Sequence, residues 1–174
     1  WQVEAYLSEA DLKRIAVGQR ARFYPDGKFS RFGTPLDLQV SAIAHAASIS
    51  NKAALQGLVD KTMGTFGRID TLVCNAASNP YYGSQLDIGD EPFRKILDNN
   101  VLSNHWLIQM CLPQMIERKA GSIVIVSSIG GLRGSTTIGA YCISKAADLQ
   151  LARNLAHEYG PHGVRVNCIA PGLI

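Results

Sequence analysis

The chain lacks any apolar run approaching the roughly 20 residues that a membrane-spanning helix requires, and it opens on no leader of the charged, apolar and small-residue type. A cytoplasmic location is the expectation. It also lacks charge of one sign: 17 Lys and Arg face 14 Asp and Glu, for a formal net charge of +3. The basic residues are scattered, which argues against a nucleic-acid or membrane-surface partner. Cys74, Cys111, Cys142 and Cys168 are widely spaced, with no C-x-x-C pair, so neither a zinc framework nor a redox centre is indicated. They are expected to be small buried hydrophobes in a reducing compartment. His45, His105, His157 and His162 share no metal-ligand spacing. Finally, no Gly-x-Gly occurs among the 16 glycines, so the usual glycine-rich turn that presents phosphate to a helix N-terminus is missing.

What is present is a chain of 174 residues, 47% apolar and 18% charged, enough for one sizeable core. The first forty residues read as a β-rich piece: a strand over 1–7, a short helix capped by Ser8 and running to Ile15, a strand from Arg20 to Tyr24, and a turn at Pro25-Asp26-Gly27. This order, with Ser-Glu-Ala-Asp-Leu and then Val-Gly-Gln between strands, resembles the β-barrel region of periplasmic adaptor (HlyD-like membrane-fusion) proteins. Such proteins are not enzymes. The resemblance therefore implies a composite or misjoined chain with a junction between Pro35 and Ala47, giving a β-rich segment at 1–44 and a second domain at 45–174.

From Ser50 the pattern turns to alternating helices and strands. Ser50 is placed to cap a helix with Ala54, Leu55, Leu58, Val59 and Met63 on its apolar face, ended by Gly67. Apolar strands follow at 69–74, 122–126 and 164–170, separated by helices over 92–118 and 139–159, the latter stopped by Gly160. This alternation predicts an α/β fold with a parallel sheet and helices on both faces.

Within the last long helix, Tyr141 and Lys145 are four apart and so stand one turn apart on one face. A free phenol titrates near pKa ~10, and a neighbouring ammonium favours the phenolate. Such a pair can carry a proton to or from a substrate oxygen, as carbonyl reduction or alcohol oxidation demands. Tyr-x-x-x-Lys alone is common in helices. Ser128, thirteen residues earlier and just past a strand, adds a hydroxyl able to polarise the same oxygen.

Asn75-Ala76-Ala77 after a strand, Asn100-Val101 in a helix, Val126-Ser127-Ser128 after the next strand, Tyr141-x-x-x-Lys145, then Asn167 and Pro171-Gly172 follow in order. Together, over residues 50–174, they resemble the classical short-chain dehydrogenase/reductase family. The resemblance implies a partial Rossmann-like, doubly wound parallel sheet and a nicotinamide cofactor, NAD or NADP. It further implies a small alcohol or ketone substrate and a homo-oligomer. It assigns Tyr141 as general acid/base, Lys145 as the residue that lowers its pKa and holds the nicotinamide ribose, and Ser128 as the substrate-orienting hydroxyl. Asn100 would hold a water linking Lys145 to solvent. Asn75, Ala76 and Ala77 would pass beside the adenine-side ribose, with alanine where glycine is the commoner third residue. Pro171 and Gly172 would wall the nicotinamide, and Ile174 would approach its carboxamide. The family's glycine-rich pyrophosphate loop and first βαβ unit would precede residue 45, where the adaptor-like segment stands. From this the 174-residue chain, taken alone, is expected to bind dinucleotide weakly and to associate.

Overall fold

The computed structural model describes residues 20–23, 36–39 and 43–172. The expected strand over 1–7, the short helix ending at Ile15, the turn at 25–27 and the site residue Ile174 lie outside the described residues. Residues 20–23 and 36–39 belong to one compact unit and residues 46–172 to another. In the first, strand β1 (Arg20–Phe23) pairs antiparallel with β2 (Leu36–Gln39), Arg20 opposite Gln39 and Phe23 opposite Leu36.

The second unit opens on helix α1 (Lys52–Phe66). Its cap is Asn51 and not the expected Ser50: the Asn51 side chain accepts a hydrogen bond from the Ala54 N–H, while Ser50 pairs with the Ser48 hydroxyl. Gly67 ends the helix as expected, in the left-handed conformation at φ 77°, with its N–H donating to the Met63 carbonyl. Strand β3 (Thr71–Cys74) follows, then helix α2 (Asp90–Leu97), a π-helical turn (Asp98–Leu102) and helix α3 (Ser103–Glu117). The single helix expected over 92–118 is thus interrupted by a wider turn. Strand β4 (Gly121–Val126), a 3-10 turn (Ile129–Gly131), helix α4 (Gly139–Tyr159), a second 3-10 turn (Gly160–His162) and strand β5 (Val164–Ile169) complete it.

Gly160 caps the helix where the sequence places its end, in right-handed conformation at φ −54°, and Gly163, at φ 79°, closes the 3-10 turn that follows in the left-handed conformation. A Cβ on Gly163 would run into the backbone carbonyl of Lys119. Gly163 is thus the residue that both conformation and space require.

Strands β3, β4 and β5 form a parallel sheet in that order. Register aligns Leu72, Ile123 and Val166, and beyond them Cys74, Ile125 and Cys168. Each row projects to one face of the pleat, and all but the partly exposed Cys168 are buried. Because β3→β4 and β4→β5 are crossovers in the same direction, the right-handed rule puts α3 and α4 on one face. The core agrees: Leu107, Ile108 and Cys111 of α3 and Ala152 and Leu155 of α4 pack with those rows, and Leu55 and Val59 of α1 extend the cluster. Helices on both faces were expected. Among the described residues the opposite face carries half-buried Val73 and Val124 and exposed Arg165, Asn167 and Ile169 instead.

At the other end of α3, Arg118 donates to the Asp70 carboxylate at 3.0 Å and to the Ile69 carbonyl at 2.8 Å, which also receives Gln114. These bonds fix helix against sheet and, with them, the opposite end of β3 where the loops gather.

Candidate active site

All three strands of a parallel sheet end at one edge, so the loops leaving them share a crevice. β3 releases Asn75, Ala76 and Ala77; β4 releases Ser127 and Ser128; β5 releases Pro171 and Gly172. Backbone bonds tie the last two together: Ser127 N–H to the Ile169 carbonyl at 2.8 Å and Ile129 N–H to the Pro171 carbonyl at 2.9 Å. The crevice is a cleft of about 820 Å³, lined by Asn75, Ala77, Ser128, Tyr141, Lys145, Pro171 and Gly172 among others. Of the expected site residues, Ala76 is exposed beside the cleft and Asn100 lies behind it.

Two glycines bring the serine loop onto α4. A Cβ on Gly131 would stand 2.7 Å from the Lys145 carbonyl carbon and oxygen, so only glycine permits that approach. The Ser127 hydroxyl fastens the contact by donating to the Lys145 carbonyl at 2.7 Å. At Gly130 a Cβ would lie 3.4 Å from Ser128 Oγ and 3.9 Å from Tyr141 Cε1. Hydroxyl and phenol ring therefore flank one small volume. Ser128 Oγ accepts the Gly130 N–H at 3.1 Å, which orients the oxygen. Neither its O–H nor the Tyr141 phenol has a hydrogen-bond partner among the described residues, so both remain available to a ligand oxygen in the cleft.

Lys145 stands one turn after Tyr141, its Nζ 5.7 Å from the phenol ring centroid. It is 2% exposed and donates to the Val126 carbonyl at 2.9 Å and to Asp148 Oδ2 at 3.0 Å. Asp148 is fully buried. Burial raises its pKa above the ordinary carboxylate value, while the Lys145 ammonium and the Asn104 amide pull it back down. The Cys74 thiol, buried under the same site, is pushed up chiefly by desolvation.

Asn100 sits in the π-helical turn, the extra-residue bulge that commonly re-aims a side chain at a functional site. Its amide is used within the protein. Oδ1 accepts the Ser78 N–H at 2.8 Å, and Nδ2 donates to the Ser78 carbonyl and to Ser144 Oγ, each at 3.0 Å. Its backbone carbonyl receives Asn104 Nδ2 at 2.7 Å, and that same amide nitrogen lies 3.0 Å from Asp148 Oδ1. A chain of contacts through two further side chains, Asn104 and Asp148, thus runs from the Asn100 carbonyl to the Lys145 ammonium. Sequence reasoning missed both. Their spacings, Asn104 four after Asn100 and Asp148 three after Lys145, are the signals that would have placed them on the same helix faces.

The short chain dehydrogenase family profile matches residues 34–174, and the chain belongs to that family. The chain is 43% identical over 117 residues to dehydrogenase/reductase SDR family member 4 of Rattus norvegicus, covering 67% of this chain and 42% of that protein. It therefore spans under half the length of that relative. Among solved structures, NAD+-bound xylitol dehydrogenase superposes with a TM-score of 0.73 at 31% identity, over 76% of this chain and 51% of that one. ElxO with NADP bound gives 0.69 at 28% identity, over 72% and 51%. The family match takes in Leu36–Gln39, which the sequence reading assigned to the adaptor-like segment. The family profile and these likenesses give the adaptor resemblance of the first forty residues no support.

Proposed function

We propose that this chain contributes the proton-transfer and nicotinamide-side half of an NAD(P)-dependent oxidoreductase that interconverts a secondary alcohol and a ketone. The observation that carries the reading is the pairing of Ser128 and Tyr141 across one small space: Ser128 Oγ and the Tyr141 ring carbon Cε1 stand 3.4 and 3.9 Å from the position that a Cβ would take on Gly130.

In this reading the Ser128 O–H donates to the substrate oxygen and holds it beside the phenol. Tyr141 gives its proton to that oxygen in reduction and takes it back in oxidation. Lys145 sets the electrostatic field at the phenol, and Asn100 fixes Ser78 and Ser144 behind the site. The cleft fits a nicotinamide nucleotide by place and chemistry: it lies at the carboxyl ends of parallel strands, with an amide at Asn75 and a small-residue wall at Pro171 and Gly172. Asn75, Ala76 and Ala77 would pass beside its adenine-side ribose, Lys145 would hold the nicotinamide ribose, Pro171 and Gly172 would wall the ring, and Ile174 would approach its carboxamide. When bound, the nicotinamide supplies or accepts the hydride. Both NAD and NADP suit this half of the site, since xylitol dehydrogenase carries NAD+ and ElxO carries NADP.

Two further features belong to the proposal. Leu102 and Ile143, 37% and 46% exposed on the α2–α3 turn and on α4, suit a homo-oligomer interface. Widely spaced cysteines at 74, 111, 142 and 168 suit a reducing compartment such as the cytoplasm. Among the described residues no helix is long and apolar enough to cross a membrane.

Nicotinamide absorbance followed with a panel of secondary alcohols and ketones tests the reading. Tyr141→Phe is expected to abolish turnover without lowering the melting temperature, because the phenol oxygen supports no structural bond. Turnover retained within a few-fold would overturn the assignment.

A further inference from the structure

The residue one turn beyond Lys145 holds a fully buried carboxylate. A carboxylate out of water is costly unless paired and hydrogen-bonded, and Asp148 is both. Its Oδ2 receives Lys145 Nζ at 3.0 Å and its Oδ1 receives Asn104 Nδ2 at 3.0 Å. Asn104 in turn holds the Asn100 carbonyl at 2.7 Å, so the chain of contacts runs from the ammonium to the π-helical turn. On its other side the ammonium is bonded to the Val126 carbonyl at the end of β4.

A buried ion pair adds little net stability compared with apolar residues of the same volume, although breaking one by removing a single partner is costly. What such a pair does supply is a fixed position. We propose that Asp148 is a positioning residue for Lys145: relayed by Asn104 to the Asn100 carbonyl, it anchors the ammonium against the end of β4 and sets its distance from Tyr141. The attraction of a carboxylate at 3.0 Å outweighs that of a more distant phenolate. Protonation of Asp148 removes that attraction and frees the ammonium to move toward the phenol.

The groups that face the pair are few. Tyr141 shares its helix, Cys74 comes from β3 and Cys168 from β5, both thiols held protonated by burial, while α3 offers the uncharged Asn104. Acid release therefore depends on Asp148 itself. Since burial raises its pKa, the anchor loosens at a higher pH than an exposed aspartate would give.

The bearing on catalysis rests on the proposed proton-transfer role of Tyr141 and Lys145, but the anchoring can be read without turnover. In a low-temperature 1H–15N spectrum of the lysine ammonium groups, Lys145 is expected to give a slowly exchanging signal, assigned by its loss in Lys145→Met. Asp148→Asn, which keeps the shape and removes the charge, is expected to abolish that slow exchange. Acidifying the unsubstituted chain, which by itself slows amine exchange at every lysine, is expected to move the Lys145 15N shift toward that of the exposed lysines while its fold persists. Should Asp148→Asn fail to fold, this acid titration of the natural sequence decides. No slow signal in the natural chain, one that persists through Asp148→Asn, or a Lys145 15N shift that stays unchanged on acidification overturns the anchoring. Absent turnover beside a protected signal would instead count only against the oxidoreductase reading.

Discussion

Gly131→Ala probes the contact on which the site depends. The added Cβ would sit 2.7 Å from the carbonyl carbon and oxygen of Lys145 and 3.0 Å from Ala146 N, all backbone atoms inside a helix. Ordinary contacts begin several tenths of an ångström further out, so the serine loop must back away from α4 against the Ser127–Lys145 bond of 2.7 Å. Overpacking of this kind costs about 1–3 kcal/mol. In a chain of this length that corresponds to a melting temperature lower by ~2–4 °C per kcal/mol. The same retreat carries Ser128 away from Tyr141, and a misplacement approaching 1 Å costs on the order of 10²-fold in rate. Gly130→Ala is the control for melting alone, since its Cβ would press on the Cys142 thiol at 3.0 Å, a side chain able to give way, but would also stand between Ser128 Oγ and the Tyr141 ring. Scanning calorimetry on both variants and nicotinamide-absorbance kinetics on Gly131→Ala supply the comparison. A Gly131→Ala protein that melts and turns over like its parent would refute the close-approach argument.

Asn100→Ala removes one buried hydrogen bond to Ser144 and two part-buried ones to Ser78, and at ~1 kcal/mol or more for each partner left unsatisfied it should lower the melting temperature by several degrees and speed amide exchange at Ser78. Asp148 has its pKa raised in the folded chain above the unfolded value, so its contribution to stability is fully present below ~3.9, the ordinary aspartate value, and is lost as pH rises through the folded pKa. The melting temperature of Asp148→Asn relative to the parent should therefore improve across that window on going from acid toward neutral pH; a difference that is flat with pH would count against a raised pKa.

The order of the candidate site residues was legible because each of them follows a strand or sits in a helix. Asn75, Ser128 and Pro171 each lie one or two residues past a strand end, and Tyr141 and Lys145 share a helix face. Strand positions were visible as apolar runs, but which face of the sheet the helices cover was not, since half-buried Val73 and Val124 look like core residues in the sequence. One cap position slipped by a residue where two candidates stood close together: Asn51 won over Ser50 because its side-chain oxygen reaches the Ala54 N–H. The π-helical turn left no trace in a sequence periodic enough for one helix over 92–118. Asp148 and Asn104 stayed hidden because their partnership spans 44 positions, a separation at which periodicity carries no information. The adaptor resemblance rested on a short strand-helix-strand pattern that many β-rich segments share.

The central claim, that Ser128 and Tyr141 act on one substrate oxygen, is tested most directly by a double-mutant cycle on turnover with Ser128→Ala, Tyr141→Phe and the pair. Residues that work as a unit lose most of the rate at the first substitution, so the double variant should be scarcely slower than Tyr141→Phe alone. Losses that multiply independently would contradict a shared oxygen.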